Sequence, residues 1–319
     1  MRKNLFLLVV CIFSLGLLTA CNSEETRAEA QAAVDAYNSA ASSYNEAIKP
    51  FNETISKIEE ANSGLQNVLD AAQAVINKGE EPYDASTLDG LKETMATASG
   101  SKVSVPSAIE EAELMTVPED AKKKELEELI AQANASTEEI SAKAIPDVPE
   151  IPDYTSAISS VQETQKIYED SIQSLKQITA PTDEFVMERL QRVDTITEMD
   201  AVTEDHDPNG QLNKQGGYIG CIYFTDKQVD RSELYIEEGK DNVIDVATDG
   251  GGAIEIFATV DEANVRNDYL AAFDGQGMLA SGSHYVEGTC IIRTSNYLNG
   301  TQQKELTEKI TKALIAVDN

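Results

Sequence analysis

From Ala30 to Ile76 the chain repeats one spacing without losing step: Ala30, Val34, Tyr37, Ala41, Tyr44, Ile48, Phe51, Ile55, Ile58, Asn62, Leu65, Leu69, Ala72 and Ile76. Steps of four and three place these residues on one stripe of an α-helix. A repeat of about 3.5 residues sustained this long predicts a helix that must bury its stripe against a partner. The intervening positions are Ala, Ser, Asn, Glu and Lys, the residues of a solvated helix face. Asn62 occupies a seam position, where a polar residue fixes register. Pro50 removes one ladder bond at about 3 kcal/mol, so a kink or brief break is expected there. At about 1.5 Å per residue this helix would be about 80 Å long.

The partners are expected further along the same chain. Gly79, Pro82, Gly90 and Gly100 punctuate a loop over 79–105 that holds a short helix at 86–98. A second helix is predicted over 107–143, with Leu126, Ile130, Ala133, Thr137, Ile140 and Ala144 on its seam and Pro118 disturbing its first third. Ile145-Pro-Asp-Val-Pro-Glu-Ile-Pro152 then favours an extended connector, because each proline biases the residue before it away from the helix. A third helix carries Ile158, Val161, Gln165, Tyr168, Ile172 and Leu175, and a shorter one after Pro181 carries Phe185, Leu190, Val193 and Ile196. Antiparallel packing with coiled-coil seams satisfies all these stripes at once. The Ala-rich seam implies close helix spacing.

The composition changes near residue 200. Residues 21–200 hold four glycines and eight of the nine prolines, whereas 201–319 hold thirteen glycines. In the second part, 218–225, 253–259 and 284–294 read as strands, and 232–237 is a further strand candidate. Thr259 and Glu262 stand in capping-box spacing at the start of a helix. A last helix follows Asn299-Gly300, with Leu306, Ile310, Leu314 and Val317 on one stripe. Strands then helix, twice over, predict two layers with the helices on one face of a sheet. The expected architecture is therefore a mainly α antiparallel coiled-coil or helical-bundle stalk over 21–200, followed by a two-layer α+β head over 201–319.

The chain begins with Arg2 and Lys3, an apolar run over 5–18, and small residues at Thr19 and Ala20, the layout of a secretory signal rather than of a membrane span. Leu18-Thr-Ala-Cys21 resembles the lipobox of bacterial lipoproteins. The resemblance implies lipidation of Cys21 and cleavage before it, so that residues 1–20 are a signal peptide and the acylated chain sits on the outer face of the cytoplasmic membrane. The net charge is −31, and removal of Arg2 and Lys3 takes it to −33. Such a surface repels phosphate, which excludes nucleic acid as a partner and leaves membrane attachment to the lipid on Cys21.

Asp205, Asp207, Asn209 and Gly210 match the opening of a calcium loop, but Gly216 stands where the bidentate Glu belongs. The same residues make an ordinary sharp turn. Calcium bound by Asp205, Asp207 and Asn209 is thus one reading of the loop, and a structural turn is the other. Cys221 and Cys290 form an even pair in an exported chain. A disulfide between them would close a loop of about 70 residues, worth about 4 kcal/mol; two buried thiols are the alternative. Gly250 to Gly252 lacks phosphate-loop and dinucleotide spacing, and no G-x-S-x-G is present. With only His206 and His284 in the chain, neither zinc nor a histidine triad is readily assembled. Ser281-Gly-Ser-His284 is the one place where nucleophile and base types adjoin.

Phe185-Val-Met-Glu-Arg-Leu190, Thr203 to Gly210, Asn213-Lys-Gln-Gly-Gly-Tyr218, Gly252-Ala-Ile-Glu-Ile-Phe257, Arg266-Asn-Asp-Tyr-Leu270, and Gly288 to Ser295 ahead of Gln302-Gln303 are similar to the carboxy-terminal domain of a group of Gram-positive surface lipoproteins. The likeness covers about 185–317 and implies location and a domain boundary rather than chemistry. The expected function is that of a lipid-anchored, non-catalytic surface protein whose head binds a peptide, a glycan or a neighbouring envelope protein. The alternatives are a solute-binding accessory of a transporter and an envelope enzyme with a cleft lined by residues such as His284, Asp205 and Asp207.

Overall fold

The computed structural model describes residues 23–274 and 282–318. Cys21, the signal segment and Ser281 lie outside the described residues. Helix α1, Ser23–Ile76, is continuous, and Ala30, Val34, Ala41, Ile48, Ile58, Leu65 and Ala72 of the heptad stripe are buried. The helix passes through Pro50 without a break. Among the described residues no helix is long and apolar enough to cross a membrane. The chain divides into two compact units.

The first unit comprises α1 up to Ser63 together with Val103–Asp153. The helix expected over 107–143 forms only as α3, Lys123–Ala142. Ahead of it the backbone is an extended strap, bracketed by Pro106 and Pro118. Asparagines of α1 hold this strap two hydrogen bonds at a time. Asn38 donates Nδ2 to the Met115 carbonyl and accepts the Met115 N–H, both at 2.8 Å. Asn45 does the same for Ala112, at 2.9 and 2.8 Å, and Asn52 for Ile109, at 2.8 Å each way.

The two spacings match. Seven helical residues advance about 10.5 Å, and three extended residues advance about 10 Å, so one asparagine per heptad meets every third residue of an antiparallel strap. Tyr37 donates to the Glu113 carbonyl, and Arg27 reaches the Pro118 and Ala121 carbonyls. Beneath the strap, Ala33, Val34, Tyr37 and Ala41 of α1 pack with Ala133 and Ile140 of α3 and with Ala112, Met115 and Val117.

The second unit contains α1 from Gly64, α2 (Ser86–Gly100), α4 (Thr155–Gln177) and the C-terminal fold. Tyr168, fully buried, donates to the Glu80 carbonyl. The C-terminal fold begins earlier than residue 201. It includes α5, Asp183–Leu190, and an edge strand β1, Ile196–Ala201, so a boundary at 200 would cut through β1. With β2 (Gly220–Asp226), β3 (Gly251–Ile256), β4 (Ser283–Glu287) and β5 (Cys290–Thr294) it forms an antiparallel sheet in the order β1-β2-β3-β5-β4. The segment 232–237 is not a strand.

β2, β3 and β5 are buried along their whole length. That requires cover on both faces, and the sheet has it, so the expected two-layer arrangement is corrected to three. On one face Ile222, Phe224, Ile254, Ile256 and Ile292 meet Val186 and Leu190 of α5, and Leu306, Ile310 and Leu314 of α8 (Gly300–Ile315). On the other face Cys221, Tyr223, Ala253 and Ile291 meet Ile244 of the short α6 (Val243–Val246), and Ala263 and Leu270 of α7 (Val260–Ala271). The expected capping box of α7 forms, with Thr259 and Glu262 satisfying each other's backbone N–H.

Cys221 and Cys290 are buried free thiols. Cys221 pairs with Glu255 and Cys290 with Ile256 on opposite sides of β3, and they belong to the cores on opposite faces of the sheet. Two strand spacings amount to about 10 Å, beyond the roughly 4.4–6.8 Å Cα separation of a disulfide. The proposed bridge is therefore excluded by topology.

Two outcomes are expected. Asn45→Leu removes both bonds to Ala112 and should weaken strap attachment by about 1–3 kcal/mol, read as faster amide exchange across 103–121 with unchanged exchange in the sheet. Peptide mapping after alkylation should find Cys221 and Cys290 unmodified in the folded protein and both labelled on denaturation without reductant, since burial pushes the Cys290 thiol up to about 12 and Cys221 well above its ordinary value.

Candidate functional site

The segment joining β1 to β2, residues 202–219, covers one end of the sheet and is organised by a single carboxylate. Asp207 Oδ2 accepts from the backbone N–H of Gln211 at 2.7 Å and of Leu212 at 2.8 Å. Its Oδ1 accepts from the Asn209 N–H at 3.0 Å and from the Tyr218 hydroxyl. Desolvation raises the Asp207 carboxyl, but the Tyr218 hydroxyl and the three backbone donors outweigh it and leave the group below its ordinary value. Leu212 and Tyr218 thereby enter the core beside Cys221 and Phe257. Gly216 holds φ at +75°, and a Cβ on Gly217 would lie 2.0 Å from the Gln211 carbonyl oxygen, so the turn requires this glycine pair.

Of the three residues read as calcium ligands, Asp207 is thus engaged by internal donors on both oxygens. Asn209 donates its side chain to the Tyr223 hydroxyl at 2.9 Å, and Asp205 is exposed. Among the described residues no group of three or more His, Cys, Asp or Glu is arranged to hold a metal ion. His284 lies on β4, within hydrogen-bond distance of Asn267 at 2.7 Å and 3.3 Å from the Asp274 carboxylate. Ser283 pairs with Thr294 instead.

Two hollows flank the 202–219 loop. The first, of about 430 Å³, is lined by Asn209, Gln211, Gly216, Gly217 and Tyr218 from the loop, Phe257 beyond β3, and Val265, Arg266 and Tyr269 of α7. Its one charged lining residue, Arg266, is held from beneath. Glu255, on the central strand and 0% exposed, accepts from Arg266 Nε at 2.8 Å, Arg266 Nη2 at 3.0 Å and Arg293 Nη1 at 2.7 Å. Desolvation raises Glu255, but the Arg266 and Arg293 contacts prevail and hold it ionised below its ordinary value. Arg266 also stacks on Tyr269, 5.3 Å from the ring centroid, and Phe273 meets that ring edge-on at 5.1 Å. Tyr269 is held on two sides and is still 57% exposed.

The second hollow, of about 510 Å³, includes Asp205, His206, Asp207, Tyr235, Asp245 and Asp249. His206 Nε2 lies 2.7 Å from Asp245 Oδ1, and this contact is the main cause of the lowered Asp245 carboxyl. Desolvation raises Asp249. No serine, threonine or cysteine is among its lining residues.

Arg266, Tyr269 and Glu255 were not singled out by sequence spacing as site residues. Four stretches distant in sequence, 203–210, 213–218, 252–257 and 266–270, meet at the first hollow: they supply Asn209, Gly216, Gly217, Tyr218, Phe257, Arg266 and Tyr269. Comparison with protein-family models, with curated proteins and with solved structures finds no significant match.

The loop gives a pH-dependent expectation. The lowered Asp207 carboxyl contributes stability that is present above its unfolded value of 3.8 and is lost as pH falls through the lower folded value. Asp207→Asn should cost about 1–3 kcal/mol at neutral pH, and the gap to wild type should narrow in acid. Thermal melts of both proteins across that range provide the check.

Proposed function

We propose that this chain is a lipid-anchored surface protein of the bacterial envelope, attached through Cys21, whose C-terminal α+β fold binds a ligand or a neighbouring envelope component at the first hollow. In this reading the helical part acts as a coiled-coil spacer between the membrane and the binding head. The observation that carries the binding role is the hollow itself: loop, strand and helix converge on it, and a buried ion network fixes its aromatic wall before any ligand arrives. Preorganised side chains of this kind lower the ordering cost of binding. Support for the location comes from Leu18-Thr-Ala-Cys21 and the basic and apolar segments before it.

An envelope enzyme is the second reading, and the His206–Asp245 contact in the second hollow favours it. Calcium is the alternative use of the loop. Bound calcium would have to displace the internal donors of Asp207, and a calorimetric titration that evolves heat and raises the melting temperature would support it.

Two variants test the main reading. In a Gram-positive host, the wild-type chain should incorporate labelled palmitate and sediment with membranes, whereas Cys21→Ser should do neither; label retained by the variant would refute lipidation at that residue. The full chain carrying Cys21→Ser should bind isolated cell envelopes, and adding Val265→Asp, at an exposed position of the hollow, should weaken that binding about tenfold. Equal binding by the two would remove the hollow from the function.

A further inference from the structure

We infer that the first hollow takes a neutral, hydroxyl-bearing ring, the chemistry of an uncharged saccharide, and this rests on the reading that the head binds a ligand there. The argument begins with charge. The Arg266 guanidinium is engaged by Glu255 through Nε and Nη2, and because Glu255 also accepts from Arg293 its single negative charge offsets that of Arg266 only in part. Asp207 at the other side of the wall is saturated by three backbone N–H groups and a hydroxyl. An anionic ligand would meet that partly offset cation beside the amide oxygens of Asn209 and Gln211, which only accept, and the chain's net charge of −31 repels it at long range. A cationic ligand finds no uncommitted carboxylate within the hollow. The mixed donor and acceptor lining therefore suits an uncharged polar ligand better than a full charge of either sign.

What remains is hydrogen bonding and one exposed aromatic face. Arg266 keeps Nη1 as a donor. Asn209 donates through Nδ2 to Tyr223, which leaves its carbonyl oxygen as an acceptor, and Gln211 donates through Nε2 to the Asn209 backbone, which leaves its own. Donors and acceptors in fixed positions suit hydroxyl groups, each of which can act as either. Tyr269 presents a ring fixed by Arg266 and Phe273. An aromatic face carries partial negative charge and attracts polarised C–H groups, such as those on the flat side of a pyranose. The hollow, at about 430 Å³, falls in the roughly 300–1,000 Å³ range of small-molecule sites.

The test is calorimetric titration of the full chain carrying Cys21→Ser with three neutral oligosaccharide series: cello-, malto- and chito-oligosaccharides. Binding by at least one series is expected. Tyr269→Ala should weaken it about tenfold or more, while Tyr269→Phe, which keeps the ring, should retain it. Adding salt should leave the affinity unchanged, because no charge pair forms. Failure of all three series would overturn the saccharide assignment. Envelope binding that still depends on Val265 would then show that the binding head survives and only its ligand class is wrong. Saccharide binding unchanged by Tyr269→Ala would also overturn the proposal, by placing the sugar elsewhere.

Discussion

Backbone that is neither helix nor ladder strand must still find partners for its N–H and C=O groups when it is packed against other structure. In this chain, short amide and carboxylate side chains supply them in both units. Asn38, Asn45 and Asn52 act as a discontinuous strand, each presenting one donor and one acceptor to one residue of the strap. In the head, Asp207 gathers three backbone N–H groups and so shapes the loop that walls both hollows. These side chains supply the bonds that repeat along the strap and converge at the centre of the loop, beside single contacts such as that of Tyr37 with Glu113 and of Asn213 with Tyr218. The packing beneath them, Met115 and Val117 in one case and Leu212 and Tyr218 in the other, follows from that anchoring.

The heptad stripe of α1 was legible because its partners bury it at the positions the spacing names, from Ala30 to Ala72. The strap was not. Its signal lies one residue off the seam: Tyr37-Asn38, Tyr44-Asn45 and Phe51-Asn52 repeat an aromatic–asparagine pair every seven residues. Read alone, such asparagines resemble a solvated face. Only the extended chain opposite gives them a purpose. Likewise β1 escaped notice because Thr197, Glu198 and Asp200 give it the polar face of an edge strand. The sheet's second cover was missed for a related reason: a strand buried on both faces and one buried on a single face differ in only a few residues, as β3 shows with Glu255 amid apolar neighbours.

The candidate site was legible in part. Asp207 and Asn209 stood out for a calcium-like spacing, and the structure gives each an internal use instead, Asp207 gathering the loop's own donors and Asn209 reaching the Tyr223 hydroxyl. Arg266 carried no local signal. It matters because Glu255 lies beneath it on another element, together with Arg293 from β5. A buried carboxylate with two guanidiniums is seldom a source of net stability against an apolar replacement. Its effect here is geometric, for it fixes the orientation of the one arginine that reaches the surface hollow. Position in the fold, rather than residue type, makes the site.

The asparagine ladder reads only main-chain atoms of the strap, and this uncouples the strap's structure from most of its side chains. Outward positions such as Glu110, Glu111 and Leu114 are free to drift, because nothing that holds the segment depends on what they are. Proline is the exception at Ile109, Ala112 and Met115, where it would delete the N–H that each asparagine accepts. A lineage of such chains would therefore keep its asparagines in sevenfold rhythm while the strap opposite diverged, preserving its conformation under a changing exterior.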